Sequence, residues 1–249
     1  MTTYHSPRSP SGRRHSAKPP PDMTPLRIAM LPLLILFCAL PPIGFAKFAW
    51  NDSQISIITS AAKQGDLIKV KAMIKTDKKF AEVKGYLGRT PLWWAAAAGQ
   101  TAVIDYLIKE TGVNKEAADD SGWTPLFAAA ARNKKDALEA LIDQGADRQA
   151  VDTSGGTALH AAATGYNPDT AGVLADLGVK VDAQDKAGMT PLHIAVQHKE
   201  AVMVTTLLGE LHANPNIKAK DGSTPLRLAN QLHRGQYIVD ELLKAGGEE

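Results

Sequence analysis

Cysteine occurs once in the 249 residues, as Cys38, so no intramolecular disulfide staples this fold. Aromatic side chains make up only 6% of the chain, which leaves alanine and aliphatic contacts to build a core. An excess of one charge is also missing. Lys and Arg number 28 against 26 Asp and Glu, a formal net charge of +2, and this is no electrostatic footprint for nucleic acid. A long apolar run is lacking too: residues 28–46 carry no charge, but Pro41 and Pro42 interrupt them after a 13-residue apolar portion. That portion is shorter than the roughly 20 residues of a membrane helix and fits the roughly 7–15-residue core of a signal peptide.

What the sequence does contain is a recurrence. Thr90-Pro91-Leu92 returns as Thr124-Pro125-Leu126, Thr157-Ala158-Leu159, Thr190-Pro191-Leu192 and Thr224-Pro225-Leu226, at intervals of 34, 33, 33 and 34 residues. A fixed period of this size marks a stack of units, each burying its apolar face only against its neighbours. The threonine reads as the cap of a helix whose first position is proline, where a missing N–H costs nothing. Alanine pairs follow at Ala95-Ala96, Ala129-Ala130 and Ala162-Ala163, small enough to let helices approach closely. A stripe at helical spacing comes next, Val103, Ile104, Leu107 and Ile108 in one unit and Ala137, Leu138, Leu141 and Ile142 in another. It predicts a second helix leaning on the first. Gly112, Gly145 and Gly178 close their units as helix caps, and turns from Asp119 to Gly122, Asp152 to Gly155 and Asp185 to Gly188 lead to the next threonine.

Together these motifs resemble the ankyrin repeat over residues 55–246. The resemblance implies an all-α ankyrin-repeat solenoid of about six helix-turn-helix repeats, at about 55–86, 87–120, 121–153, 154–186, 187–220 and 221–249. The first repeat is degenerate, with Ala61, Ala62 and Gly65 sitting 34 residues before Ala95, Ala96 and Gly99. Repeat four lacks the proline and carries Tyr166 at a glycine position and Pro168 near its second helix, so that helix is expected to start late. Extra residues around Thr111, Leu211 and Gln236 are expected to bulge in loops. Arg227, Asn230 and Gln231 give the last unit polar positions suited to a cap.

Ahead of the repeats, residues 1–22 form a basic extension with too little apolar surface to order itself. Residues 23–46 read as a signal peptide: Arg27 supplies the positive region, and Gly44-Phe45-Ala46 places small residues where a signal peptidase reads, predicting cleavage after Ala46. Met23 then competes with Met1 as the start. An uncleaved anchor is the alternative, and either form faces the repeats away from the cytoplasm. Residues 47–54 form a linker. Without residues 1–46 the 28 basic and 26 acidic side chains become 23 and 25, so the basic excess belongs to the leader. The short leader points to a bacterial periplasm.

No nucleophile, base and orienting group recur together, and no catalytic or cofactor-binding residue is assigned. His160 and His193 share one repeat position, and the ankyrin resemblance implies that they bond the backbone of adjacent turns. His193 and His198 are five apart, on different sides of a helix, and no third ligand joins them as a metal site. Ser154-Gly155-Gly156 lacks the lysine and strand of a phosphate loop and reads as a turn. Trp93 and Trp94 read mainly as core filling.

The family's variable positions supply the candidate protein-binding residues: Tyr86, Leu87, Arg89, Trp123, Arg132, Met189, Gln197 and His198, with Thr164 between them. The resemblance places them on one concave stripe, and Tyr, Trp and Arg are the types that dominate interface energetics. Packing against the next turn is the competing role for Trp123. The sequence thus points to a non-catalytic, monomeric module that binds another protein, as an accessory or immunity factor for an envelope enzyme. A secreted effector acting on host proteins is the alternative within the binding class, and a metal-dependent hydrolase is the enzymatic one.

Overall fold

The computed structural model describes residues 52–233 and 235–249. The expected extension, signal peptide and cleavage point, and residues 47–51 of the expected linker, lie outside the described residues.

Among the described residues twelve α-helices pair into six hairpins: α1 (Asp52–Gln64) with α2 (Leu67–Thr76), α3 (Pro91–Ala98) with α4 (Thr101–Asp105), and α5 (Pro125–Ala130) with α6 (Lys135–Asp143). The remaining pairs are α7 (Ala158–Thr164) with α8 (Pro168–Asp176), α9 (Pro191–His198) with α10 (Ala201–Thr205), and α11 (Pro225–Gln231) with α12 (Gln236–Lys244). First helices stack on first helices from α1 to α11, and second helices form a parallel layer beside them. The first helix begins at Asp52, three residues ahead of the expected repeat boundary, with that carboxylate in the electropositive first turn.

The threonines fix the helix starts. Thr90 Oγ1 accepts the N–H of Trp93 at 3.2 Å, and Thr190 and Thr224 cap α9 and α11 the same way. Thr124 departs from the pattern, since its buried hydroxyl has no partner among the described residues. Leu92, Leu126, Leu159, Leu192 and Leu226 then point into the interlayer core with at most 3% exposure. The alanine pairs at 95–96, 129–130 and 162–163 are fully buried, which lets successive first helices pack at short range.

Repeat four keeps the common register. Its second helix starts at Pro168, eleven residues after Thr157, as Thr101, Lys135 and Ala201 follow their own threonines. The expected late start fails because proline occupies the first helical position, where its fixed φ suits the helix and no N–H is needed. Asn167 Nδ2 and Thr170 Oγ1 both donate to the carbonyl of Ala130, at 3.1 and 3.0 Å, and tie this entry to α5.

The extra residues of repeats two and five also behave differently from expectation. Instead of bulging in loops they widen the helices: α4 continues as a π-helical turn, Tyr106–Glu110, and α10 as Thr206–Glu210. Leu211 N–H reaches the carbonyl of Thr206 at 3.0 Å, an i→i+5 bond. A π-turn absorbs one residue without rotating the following helical face away from the core, and so Leu107 and Leu207 stay fully buried. In repeat six the extra residue does sit in the connection before α12, at Gly235 with φ 94°.

The helix-to-helix turns all use the left-handed region at one position. Gly65 and Gly99 fill it first, then Asn133, Tyr166, Lys199 and His233, with φ between 49° and 63° for these four. A second ladder joins the units where each second helix ends. Glu82 accepts the N–H of Asn114, Glu116 that of Asp147, Asp182 that of Asn214 and Asn216 that of Glu248, all at 2.7–3.0 Å.

Candidate protein-binding surface

Between repeats the chain makes a row of tight turns, and in three of them one aspartate organises the backbone. Asp119, Asp152 and Asp185 each use Oδ1 to accept two backbone N–H groups, two and four residues ahead, at 2.8–3.1 Å. The turn before α3 has Gly85 where these have Asp. There the segment Tyr86–Gly88 winds into a short 3-10 turn with Leu87 at φ 57° and ψ 30°, although the turn before α11, with Ala219 at the same position, does not. The counterparts of Leu87, which are Ser121, Ser154, Ala187 and Asp221, do not share that conformation. Tyr86 is left 78% exposed and Leu87 42%.

The turns are stitched to one another in two ways. In repeats four and five the histidine does it. Nε2 of His160 lies 3.0 Å from the carbonyl of Met189, and Nε2 of His193 lies 3.2 Å from that of Ser223. Each Nδ1 accepts the N–H of its own capping threonine at 3.1 Å, so the proton sits on Nε2. Repeats two and three have Trp93 and Phe127 at that position. There the residue just before the threonine crosses instead: Arg89 Nε donates to Asp119 Oδ2 and Trp123 Nε1 donates to Asp152 Oδ2, both at 3.2 Å. The Arg89 guanidinium also lies 4.0 Å from the Trp93 ring centroid, over a buried indole whose own N–H has no partner among the described residues.

This stitching defines the chemistry of the histidines. Burial pushes both imidazoles below the ordinary histidine value of 6.5, and the carbonyl bonds and nearby aspartates offset it only in part. A ring with both nitrogens committed to backbone has no lone pair to offer a proton or a metal. The role implied by the resemblance is the one they occupy.

The eight candidate residues separate into two groups. Arg89 and Trp123 are half-buried and held by turn-to-turn bonds, and Met189 is half-buried with its carbonyl on His160. Tyr86, Leu87, Arg132, Gln197 and His198 are exposed, as is Thr164. His198 stands beside Tyr166, with Oη 3.4 Å from Nδ1 and the rings 5.7 Å apart. Sequence reasoning passed over Tyr166 as a contact residue. Its signal was a bulky side chain at a left-handed position, which leaves it 48% exposed.

Of the two adjacent tryptophans only Trp93 is core, at 1% exposure, while Trp94 is half-buried. Neighbouring helical residues project about 100° apart, and Trp94 falls at the margin of the core that holds Leu92 and Trp93. Trp94 instead walls an open groove of about 530 Å³ with Ile55, Thr59, Gly85 and Tyr86, and with Asp52 and Lys84 also lining it. Lys63 Nζ lies 5.2 Å from the Trp94 centroid.

Charge is unevenly spread over the helices: α1 carries Asp52 and Lys63, and α2 carries three lysines and no carboxylate. The first helices α3, α5, α7, α9 and α11, reading PLWWAAAA, PLFAAA, ALHAAAT, PLHIAVQH and PLRLANQ, contain no carboxylate. The second-layer segments KDALEALID, PDTAGVLAD, AVMVT with TLLGE, and QYIVDELLK hold eight carboxylates against two lysines.

A family model described as ankyrin repeats (3 copies) matches residues 58–152, 112–185, 129–221 and 174–248. The chain is similar to the 26S proteasome non-ATPase regulatory subunit 10 of Dictyostelium discoideum, 34% identical over 99 residues that make up 40% of this chain and 43% of that protein. The Mus musculus protein of the same name is 36% identical over 69 residues, 28% of this chain and 29% of that one. The chain thus spans less than half the length of these curated relatives. Among solved structures, the ankyrin repeat domain of Bcl-3 superposes with a TM-score of 0.66 at 28% identity, covering 77% of this chain and 86% of that one. With matches running from residue 58 to residue 248, the chain belongs to the ankyrin repeat family.

Proposed function

We propose that this protein is a non-catalytic module that binds a partner protein through the first-helix face and the adjoining turns. Ankyrin repeats mediate protein–protein interaction, and the relatives named above are regulatory subunits of a larger assembly. One observation carries the reading for this chain: Tyr86 and Leu87 stand side by side and exposed in a turn whose backbone is strained at Leu87. Strain and exposed apolar area both cost stability, and positions that retain both are concentrated at binding sites. The residues best suited to catalysis by type, His160 and His193, are used up in stitching turns.

The leader read in residues 23–46 supports export to the cell envelope, and a role as accessory or immunity factor for an envelope enzyme follows from that location. The test is affinity capture from native envelope with the tagged protein, beside a Tyr86→Ala/Leu87→Gly variant, followed by mass spectrometry and by fractionation of the cells. One protein retained by the wild type and lost with the variant, in a periplasmic fraction, is the expected result. Equal capture by both proteins removes the turn from the binding site, and a cytoplasmic fraction removes the envelope role.

A further inference from the structure

We infer that the exposed face of α2 docks on an anionic lipid surface, with lysines around the cavity between α2 and the end of α4 holding phosphate-bearing headgroups and Ile68 entering the apolar layer. This face belongs to the second-helix layer and is separate from the partner-binding face proposed above. Its charge sets α2 apart. The helix carries Lys69, Lys71 and Lys75 and no carboxylate, and Lys78 and Lys79 follow in a 3-10 turn, Lys78–Ala81. By contrast α6, α8 and α12 each hold two or more carboxylates. All five lysines are exposed, and none of the ion pairs among the described residues involves them.

Nearby carboxylates compensate this charge only in part. Asp66 and Asp77 cap the starts of α2 and of the 3-10 turn, Glu82 accepts the N–H of Asn114, and all three keep their charge. Even so, residues 52–84 hold seven lysines against four carboxylates, whereas residues 85–249 hold 15 basic against 21 acidic side chains. The positive excess of the repeats is therefore confined to the first unit.

Helical spacing places an apolar side chain among the cations. Val70 and Ile74 turn inward, while Ile68, Lys71, Ala72 and Lys75, at i, i+3, i+4 and i+7, share the other side of the helix and are exposed. Ile68 is 83% exposed. Lys71, Lys75 and Lys78 line an open cavity of about 570 Å³ walled by Tyr106, where Glu110 is the one carboxylate. Lys71 Nζ lies 5.1 Å from the Tyr106 ring centroid.

Two features favour a lipid surface over a soluble anion or an acidic protein. The cations of α2 and its following turn are all lysines, hydrated point charges suited to a diffuse array of phosphates, with no arginine to pair a carboxylate bidentately. An exposed isoleucine beside them adds apolar burial at a membrane interface that a free anion does not provide. Chain length agrees: eleven residues separate the apolar portion 28–40 from Asp52, a reach of at most roughly 40 Å, and lysine clusters close to an apolar leader are attracted to anionic headgroups.

The experiment is co-sedimentation of the full chain with vesicles of phosphatidylcholine alone and of phosphatidylcholine containing about one-third phosphatidylglycerol. The leader contributes equally to every variant, so the readout is the change that substitutions in the first unit cause. Lys71→Gln/Lys75→Gln/Lys78→Gln is expected to weaken binding to the anionic vesicles about tenfold or more, with phosphatidylcholine binding and the thermal transition unchanged. The matched triple Lys180→Gln/Lys218→Gln/Lys220→Gln, at exposed lysines outside this face, removes the same charge and is expected to change binding less than about twofold. Ile68→Ser weakens binding to the anionic vesicles while the salt dependence persists. Equal weakening by the two triples, or none by either, overturns the proposal. So does inorganic phosphate at the lipid concentration abolishing the anionic preference, which would mark a free-anion site, or soluble polyglutamate binding as tightly as the vesicles through the same lysines, which would mark an acidic protein partner.

Discussion

Trp123 and Asp152, 29 residues apart, are joined by an indole N–H to Oδ2 hydrogen bond of 3.2 Å that ties one inter-repeat turn to the next. The same carboxylate holds its own turn through Oδ1, which accepts from Ser154 N, Ser154 Oγ and Gly156 N at 2.6–2.9 Å. Removing the two partners therefore has unequal consequences. Trp123→Phe deletes one half-buried bond and costs about 1 kcal/mol, whereas Asp152→Ala leaves two backbone donors unpaired and costs about 2–3 kcal/mol. Urea unfolding of both variants and of the double variant measures this, and a double-mutant coupling energy near zero would show that the stitch is idle.

Stability should fall on mild acidification. Burial holds His160 and His193 below 6.5 in the folded chain, while in the unfolded chain they titrate near the ordinary value. The unfolded state then binds more protons in this range, so the full contribution is present above about pH 6.5 and is lost progressively as the pH drops below it. Unfolding midpoints in urea at pH 7.5 and pH 5 should differ, and His160→Gln/His193→Gln should be weaker at pH 7.5 yet flatter between the two. A wild-type midpoint that does not move would contradict the assignment of neutral, backbone-bonded imidazoles.

Left-handed backbone at residues with a Cβ is a reserve of stability. Lys199 ends α9 at φ 63°, where repeats one and two have Gly65 and Gly99. Relief of the steric cost outweighs the added flexibility of the unfolded chain, so Lys199→Gly should stabilise by about 0.5–1 kcal/mol. Leu87→Gly relieves the same conformation and should raise the melting temperature while weakening partner capture. A loss of both stability and capture would instead make Leu87 a packing residue.

Repeat four offers a complementary test. Ala158 is the first residue of α7, where the four other capped repeats place proline. Thr157 before it is already extended, at φ −91° and ψ 172°, as a residue preceding proline must be. Ala158→Pro should therefore stabilise by about 0.5–1 kcal/mol through the unfolded state, read as a rise in the thermal midpoint. A destabilised variant would mean that the N–H of Ala158 has a role in the fold.

Much of this architecture was legible in the chain because it is local and repeated. Thr-x-Leu, the alanine pair and the closing glycine each act within one unit, and a 33–34-residue period shows the first five times and the other two three times each. The period shows that His160 and His193 share one position, and it is the ankyrin resemblance that implied their role there. The stitches of repeats two and three were not readable in this way. Arg89 and Trp123 differ in chemistry, and each finds its carboxylate about 30 residues away only when neighbouring turns are stacked.

By itself, then, the sequence determined the unit, the starts of its first helices and the stacking of units on their neighbours, because caps, proline and apolar spacing act over a few residues. The tertiary structure alone decided which of Trp93 and Trp94 faces the core, how an inserted residue is taken up as a π-turn, and which candidate surface residues stay exposed. Those outcomes depend on what lies across the interface between repeats, and burial there is set by a neighbour that the local pattern does not contain.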